Sequence, residues 1–379
     1  MVTIQQRVAL VLEYPVVFTR DAFARDNPSV VDAIARREPA RRHRCVAVID
    51  AGVAAAWPDL AAAIEAYAAH HAARLELVAP PWQVPGGEAA KDRAVLDRLR
   101  DRLAELRLDR HACVIAIGGG AALDVIGYAA ATLHRGLRLV RLPTTVLAQD
   151  DAGVGVKNGI NGYGAKNMLG AFAAPFAVID DSAFLATLEP RDRSAGMAEA
   201  IKVALIRDAA FFAWIERNVR ALAAFELAPV EQLIRRCAEL HLAHIAGGGD
   251  PFELGTARPL DFGHWSAHKL ELLTRHALRH GEAVAIGMAL DSCYSVCAGM
   301  LDATARDRVI AVLRALGLPV WHDALRDPAL RGGLAEFREH LGGELTITLL
   351  AELGRGVDVR DVRDDLIDRA IDALARIAA

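Results

Sequence analysis

The sequence predicts an α/β protein: an N-terminal doubly wound parallel sheet domain over 1–180, followed by an all-helical domain over 181–379. Three observations carry the prediction. Short apolar runs at 45–49, 112–117, 137–142 and 176–180 alternate with helical patterns, the rhythm of a parallel sheet with crossover helices. After residue 181 the apolar spacing becomes helical throughout. The chain has 379 residues, 53% hydrophobic and 24% charged, enough to bury two cores and too apolar for disorder.

Taken in order, the N-terminal stretch MVTIQQRVALVLEYPVVF reads as strand. The run CVAVI at 45–49 is a core strand ending at Asp50, and an alanine-rich helical stretch follows. A strand near 75–79 and a helix near 91–107 come next. The strand at 112–117 runs into Gly118-Gly119-Gly120 and a helix over 121–133, and the strand at 137–142 ends at Pro143. Residues 150–170, rich in Gly and Asn, read as a functional loop or an irregular hairpin. The strand at 176–180 closes the first half. Helices are expected over 193–206, 210–224, 229–245, 262–278, 282–299 and 303–316.

Composition excludes several classes. A net charge of -4 argues against a nucleic-acid binder driven by bulk charge. No apolar run of about 20 residues is present to span a membrane. The N-terminus carries Glu13 and Pro15 and does not read as a secretion signal, so the cytoplasm is the expected compartment. Five cysteines at irregular spacing suggest neither a disulfide framework nor a zinc ribbon. The 44 basic side chains include only five lysines: Lys91, Lys157, Lys166, Lys202 and Lys269. In a chain that otherwise uses arginine, the lysines are candidates for specific chemistry.

A strand running through Gly118-Gly119-Gly120 into a helix that carries Asp124 fits a phosphate cradle. There the backbone can approach a pyrophosphate at a helix N-terminus. It equally fits a tight strand-helix turn. Asp50 at a strand end can bind a ribose diol, and Thr144-Thr145 offer hydroxyls after Pro143. Glu199 and Lys202 share one helical face, as a site or as an ion pair. His264 and His268 are one turn apart, and His280 precedes another helix. One carboxylate and two imidazoles leave open positions on a divalent ion, the layout of a catalytic site. Packed helix histidines are the alternative.

Together the motifs GGGAALD, PTTVLAQDDAGVGVKNGIN, KNMLGAF, GMAEAIK, DFGHWSAH and HGEAVAIGM resemble the 3-dehydroquinate synthase superfamily of sugar phosphate cyclases. PGGEAAKD at 85–92 and HRG at 134–136 fit as well, so the resemblance covers about 45–300. It implies a domain binding nicotinamide adenine dinucleotide (NAD), a helical metal- and substrate-binding domain, and a homodimer acting on a sugar phosphate. By resemblance, Asp50, Glu88, Lys91, Gly119, Gly120, Asp124, Thr144, Thr145, Asp151, Lys157, Lys166 and Thr187 form the NAD-contacting set. Glu199, His264 and His280 match the zinc or cobalt ligands. Lys157, Asn167, Lys202 and His268 match substrate contacts, with Asp151, Lys157, Lys202 and His268 as the catalytic group. Arg135 resembles the arginine that reaches a neighbouring subunit's phosphate.

The departures concentrate on the substrate's ends. Asp261 stands where the family has an asparagine near the phosphate, and a fixed anion there is repulsive. The upstream arginine is displaced by one residue to Arg258, and the lysine that helps hold a substrate carboxylate reads His244. Arg338 and His340 replace a C-terminal lysine pair, and no lysine follows Lys269. YPVVFTRDAF and GGDPFELGTARPLDFGHW are similar to the EboD-like branch, related to cyclases acting on sedoheptulose 7-phosphate. The expected activity is therefore a phosphate-eliminating cyclase, a carbon-oxygen lyase, on a substrate other than that of true 3-dehydroquinate synthase. The alternatives are 3-dehydroquinate synthase itself, a metal-dependent polyol dehydrogenase and a non-catalytic NAD-binding homologue.

Overall fold

The computed structural model describes residues 2–8, 10–163, 165–249, 260–340 and 345–379. The chain divides into two compact units, Met1–Pro143 with Val156–Ala183, and Thr144–Gly155 with Phe184–Ala379.

In the first unit, seven parallel strands form one sheet: β1 (Val16–Thr19), β2 (His43–Asp50), β3 (Leu75–Leu77), β4 (Trp82–Val84), β5 (Cys113–Gly118), β6 (Arg138–Pro143) and β9 (Ala177–Asp181). Their order is β1-β9-β6-β5-β2-β3, with β4 also on β2. From the adjacent β2 and β5 the chain winds outward both ways, so the switch point of the sheet lies between the ends of these two strands. The central strands are buried on both faces, which is why CVAVI and ACVIAI read as continuous apolar runs rather than alternating ones. Helices α1 (Ser29–Ala35), α2 (Ala51–Ala56), α3 (Leu60–His70), α4 (Arg93–Glu105) and α5 (Gly120–Thr132) are the crossovers.

The glycine-rich stretch is the irregular hairpin β7 (Lys157–Gly162) and β8 (Ala165–Phe172), whose register shifts between Ile160 and Gly162. Buried Arg141 of β6 anchors it, donating to Lys157 O at 2.9 Å and Asn158 Oδ1 at 2.6 Å. The expected N-terminal strand is confined to Val16–Thr19, which pairs with β9.

The second unit is helical: α6 (Pro190–Arg207), α7 (Ala209–Ala223), α8 (Leu227–Ala246), α9 (His264–Leu273), α10 (His280–Cys297), α11 (Ala303–Ala315), α12 (Gly332–His340) and α13 (Asp364–Ala378). It also holds the antiparallel pair β10 (Ile347–Glu352) and β11 (Arg355–Val359), absent from the all-helical expectation. The expected helix at 262–278 is only α9. It starts after Gly263, whose φ of 78 is left-handed, and ends before Arg275 and His276, both also at positive φ. At Gly263 a Cβ would lie 2.7 Å from Met288 N, so only glycine allows α9 to approach α10 this closely. Among the described residues no helix is long and apolar enough to cross a membrane.

Candidate active site

In the first unit, candidate residues gather at the carboxyl ends of the strands. Asp50 ends β2 and caps α2, its Oδ1 accepting from Gly52 N at 2.7 Å. Gly118 ends the neighbouring β5, and a Cβ there would lie 2.9 Å from both Asp50 Cβ and Ala122 Cβ. Gly119 then caps α5, so the strand turns directly into a helix N-terminus with its donors exposed for an anion. This cradle suits a pyrophosphate, since Gly118, Gly119 and Gly120 carry no side chains of their own over the turn.

Lys91 bridges two other candidates, donating to Asp124 Oδ2 at 2.5 Å and Asn167 Oδ1 at 2.6 Å. Burial pushes the Asp124 carboxyl up, against the Lys91 ammonium that favours its charge. Glu88 accepts from Asn161 Nδ2 at 2.6 Å and lies 3.9 Å from Lys166 Nζ. Lys157 opens β7 with its side chain exposed. Arg135 is exposed in a turn where His134 and Arg135 both adopt positive φ.

In the second unit, Thr144 Oγ1 is buried without a hydrogen-bond partner among the described residues. Thr145 Oγ1 accepts from Ala148 N at 3.1 Å. Asp151 lies in a wide helical turn, Ala148–Ala152, closed by Gly153 N to Ala148 O at 2.7 Å, a form common at functional sites. Thr187 is exposed.

Three helices bring Glu199 of α6, His264 of α9 and His280 of α10 together. Glu199 is 1% exposed. Its Oε1 lies 3.6 Å from His264 Nε2 and 3.7 Å from His280 Nε2, too far for hydrogen bonds. A tetrahedral ion with bonds of about 2.1 Å separates its ligand atoms by about 3.4 Å. The three donors thus stand at ligand spacing, and the set of one carboxylate and two imidazoles suits zinc or cobalt. Neither Glu199 oxygen has a well-formed hydrogen bond among the described residues. Oε2 is ion-paired with Lys202 Nζ, one turn along α6.

The electrostatics follow from burial. Burial opposes the Lys202 charge, but Glu199, Asp151 and Asp261 outweigh it and hold its pKa well above the ordinary value. Burial and the Lys202 ammonium push His264 well down, leaving a neutral imidazole able to bind an ion. At His280 burial is outweighed by the Glu199 and Glu271 carboxylates, and the pKa rises to about 9. His268 is exposed on α9, its ring 5.5 Å from that of His264 and 6.0 Å from that of His280.

His244 meets Arg207, with Nδ1 3.3 Å from Nη2. One turn earlier on α8, buried His241 instead meets Asp151, Nδ1 to Oδ1 at 3.0 Å. Nothing in the sequence distinguishes the two histidines. Arg258 and the side chain of His340 lie outside the described residues, and Arg338 is exposed. Sequence reasoning also passes over Glu271 and Asp291. Glu271 follows His268 by three positions, a spacing that signals a shared helical face. Asp291 accepts from Trp265 Nε1 at 2.9 Å and Gly263 N at 3.0 Å, fixing both neighbours of His264.

A doubly wound sheet with a glycine-rich strand-helix turn, joined in one chain to a helical unit with a carboxylate-imidazole cluster, defines the class of dinucleotide- and metal-site proteins built on this architecture. Within it, the 3-dehydroquinate synthase N-terminal domain matches residues 81–195 and the C-terminal domain matches 196–336. The chain belongs to the 3-dehydroquinate synthase family. It is 39% identical to 3-dehydroquinate synthase of Halorhodospira halophila over 272 residues, covering 72% of this chain and 76% of that protein. It is 36% identical to 2-epi-valiolone synthase of Actinosynnema mirum over 293 residues, 76% of each. Among solved structures, 2-epi-5-epi-valiolone synthase from Streptomyces hygroscopicus subsp. jinggangensis, with NAD+ and Zn2+ bound, superposes with a TM-score of 0.88 at 31% identity. That match covers 98% of this chain and 100% of the other. A probable glycerol dehydrogenase from Sinorhizobium meliloti shares the fold at a TM-score of 0.60 and 18% identity, covering 98% and 99%.

Proposed function

We propose that this protein is an NAD- and divalent-metal-dependent sugar phosphate cyclase, a homodimer of the cytoplasm, whose substrate is a sugar phosphate other than the precursor of 3-dehydroquinate. The observation that carries the reading is the convergence of Glu199, His264 and His280 at ligand spacing with Lys202 beside them. Residues 1–180 supply most of the NAD contacts and 181–379 the metal ligands. Asp50, Glu88, Lys91, Gly119, Gly120, Asp124, Thr144, Thr145, Lys166 and Thr187 hold the dinucleotide. Glu199, His264 and His280 hold zinc or cobalt.

Bound NAD supplies a temporary hydride acceptor and the bound ion a Lewis acid, for transient alcohol oxidation, phosphate β-elimination, ketone reduction and aldol ring closure. The chain's own residues bind and steer. Lys202 keeps its proton and offers a fixed positive charge to developing negative charge. Lys157 and Asn167 hold the anionic end, and Arg135 reaches the phosphate in the partner subunit. Exposed His268 takes up and returns protons.

The substrate class is argued from charge. Three carboxylates, Glu199, Asp151 and Asp261, act on the single Lys202 ammonium. With Glu199 taken up by the ion, the added anion is Asp261, which disfavours a substrate carboxylate relative to the asparagine the family has there, whereas a hydroxyl can donate to it. His244 stands where the family has a lysine, and it meets Arg207.

The test is incubation with catalytic NAD, zinc or cobalt, and a panel of heptulose and hexose phosphates including the dehydroquinate precursor. Inorganic phosphate released from a heptulose phosphate without accumulation of NADH is the expected result. Stoichiometric NADH would instead establish a dehydrogenase. Turnover of the dehydroquinate precursor alone would overturn the substrate class, and bound NAD and metal with no turnover would overturn the enzyme reading.

A further inference from the structure

His280 belongs to two groups of potential ligands, Glu199–His264–His280 and His268–Glu271–His280. A single ion takes one nitrogen of the ring, so the second nitrogen needs another partner. Glu271 of α9 is 4% exposed, and its Oε2 accepts from His280 Nδ1 at 3.4 Å. The opposite nitrogen, Nε2, faces Glu199 Oε1 at 3.7 Å, beyond hydrogen-bond reach but at ligand spacing. The third member of the second group, His268, is exposed, while Glu199 and His264 are buried.

We infer that Glu271 is the positioning residue of the metal site rather than one of its ligands. By accepting a hydrogen bond from Nδ1–H it holds His280 in the tautomer that leaves Nε2, on the side of Glu199 and His264, available to an ion. A buried carboxylate behind a ligating imidazole also makes that imidazole a better donor. Glu271 is itself held in place, because its carbonyl closes the end of α9 by accepting from His276 N at 2.7 Å. The inference rests on the assignment of Glu199, His264 and His280 as ligands.

The experiment measures zinc affinity by competition with a chromophoric chelator for the wild type, Glu271→Gln, Glu271→Ala and His264→Ala. The visible spectrum of each cobalt-loaded protein and the melting temperature of each metal-free protein are recorded alongside. A positioning role predicts that Glu271→Ala binds zinc ~10–100-fold more weakly, with a shifted cobalt spectrum. Glu271→Gln, isosteric and still able to accept a hydrogen bond through its amide oxygen, falls between alanine and wild type, and it decides the matter if the alanine protein does not fold. His264→Ala loses zinc far more completely than either. Wild-type affinity in both Glu271 variants, with zinc lost in His264→Ala, would overturn the inference and leave the ligand assignment standing. Zinc retained in His264→Ala but lost in both Glu271 variants would make Glu271 a ligand and overturn both.

Discussion

Replacing Lys202 by methionine keeps the length of the side chain and removes its charge. Lys202 and Glu199 are 4% and 1% exposed, and they are ion-paired on one face of α6. Breaking a buried pair by deleting one partner costs about 3–5 kcal/mol, because the other charge stays buried. His280, whose pKa is about 9, is protonated at pH 7 in the metal-free protein and faces the same carboxylate. It offsets part of the loss and places the cost near the lower end, about 3 kcal/mol. For a unit of this size that is a fall of about 6–12 °C in melting temperature. Zinc puts a second positive charge against Glu199, so the deficit shrinks when metal is added. The assay is thermal unfolding of wild type and Lys202→Met at pH 7, with chelator and with excess zinc. A metal-free variant melting within about 2 °C of wild type would refute the reasoning, as would a deficit that zinc leaves unchanged.

Other outcomes follow from the same geometry. Burial raises the Asp291 carboxyl to about 7 against the Trp265 and Gly263 donors. Its stabilising contribution is complete below the unfolded-state pKa near 4 and is lost as pH rises through 7, at ~1.4 kcal/mol per pH unit in between. The melting temperature of Asp291→Asn relative to wild type should therefore climb between pH 5 and 8, and a flat difference would contradict this. Gly118→Ala forces a Cβ against Asp50 and Ala122, so about 1–3 kcal/mol of stability should be lost, with weaker NAD binding read by fluorescence titration. Asp261→Asn removes one of the carboxylates acting on Lys202. It should lower KM for anionic substrates and weaken the salt dependence of turnover, and unchanged kinetics would place Asp261 outside the site.

The parallel sheet was legible because strands buried on both faces must be continuously apolar, as CVAVI and ACVIAI are. The glycine turn was legible for a local reason too, since a backbone passing this close to Asp50 leaves no room for a Cβ. The terminal hairpin β10–β11 was not, because its pairing is long-range and the sequence reading carried no element past 316. The N-terminal stretch misled in the opposite direction, since an alternating apolar pattern marks strand propensity and not a pairing partner.

By itself, the sequence determined which residue types stood at which periodicity: the strand-Gly-helix turn, the Glu199–Lys202 face and the two histidines one turn apart. Only the tertiary structure decided which faces meet. Helices α6, α9 and α10 bring one carboxylate and two imidazoles to ligand spacing and aim Glu271 at the far side of His280, while α8 sets His241 against Asp151. The physical reason is that periodicity marks the face of a helix, while the neighbour of that face is set by close packing. Here that packing depends on a few positions, such as Gly263 against Met288, where a methyl group has no space.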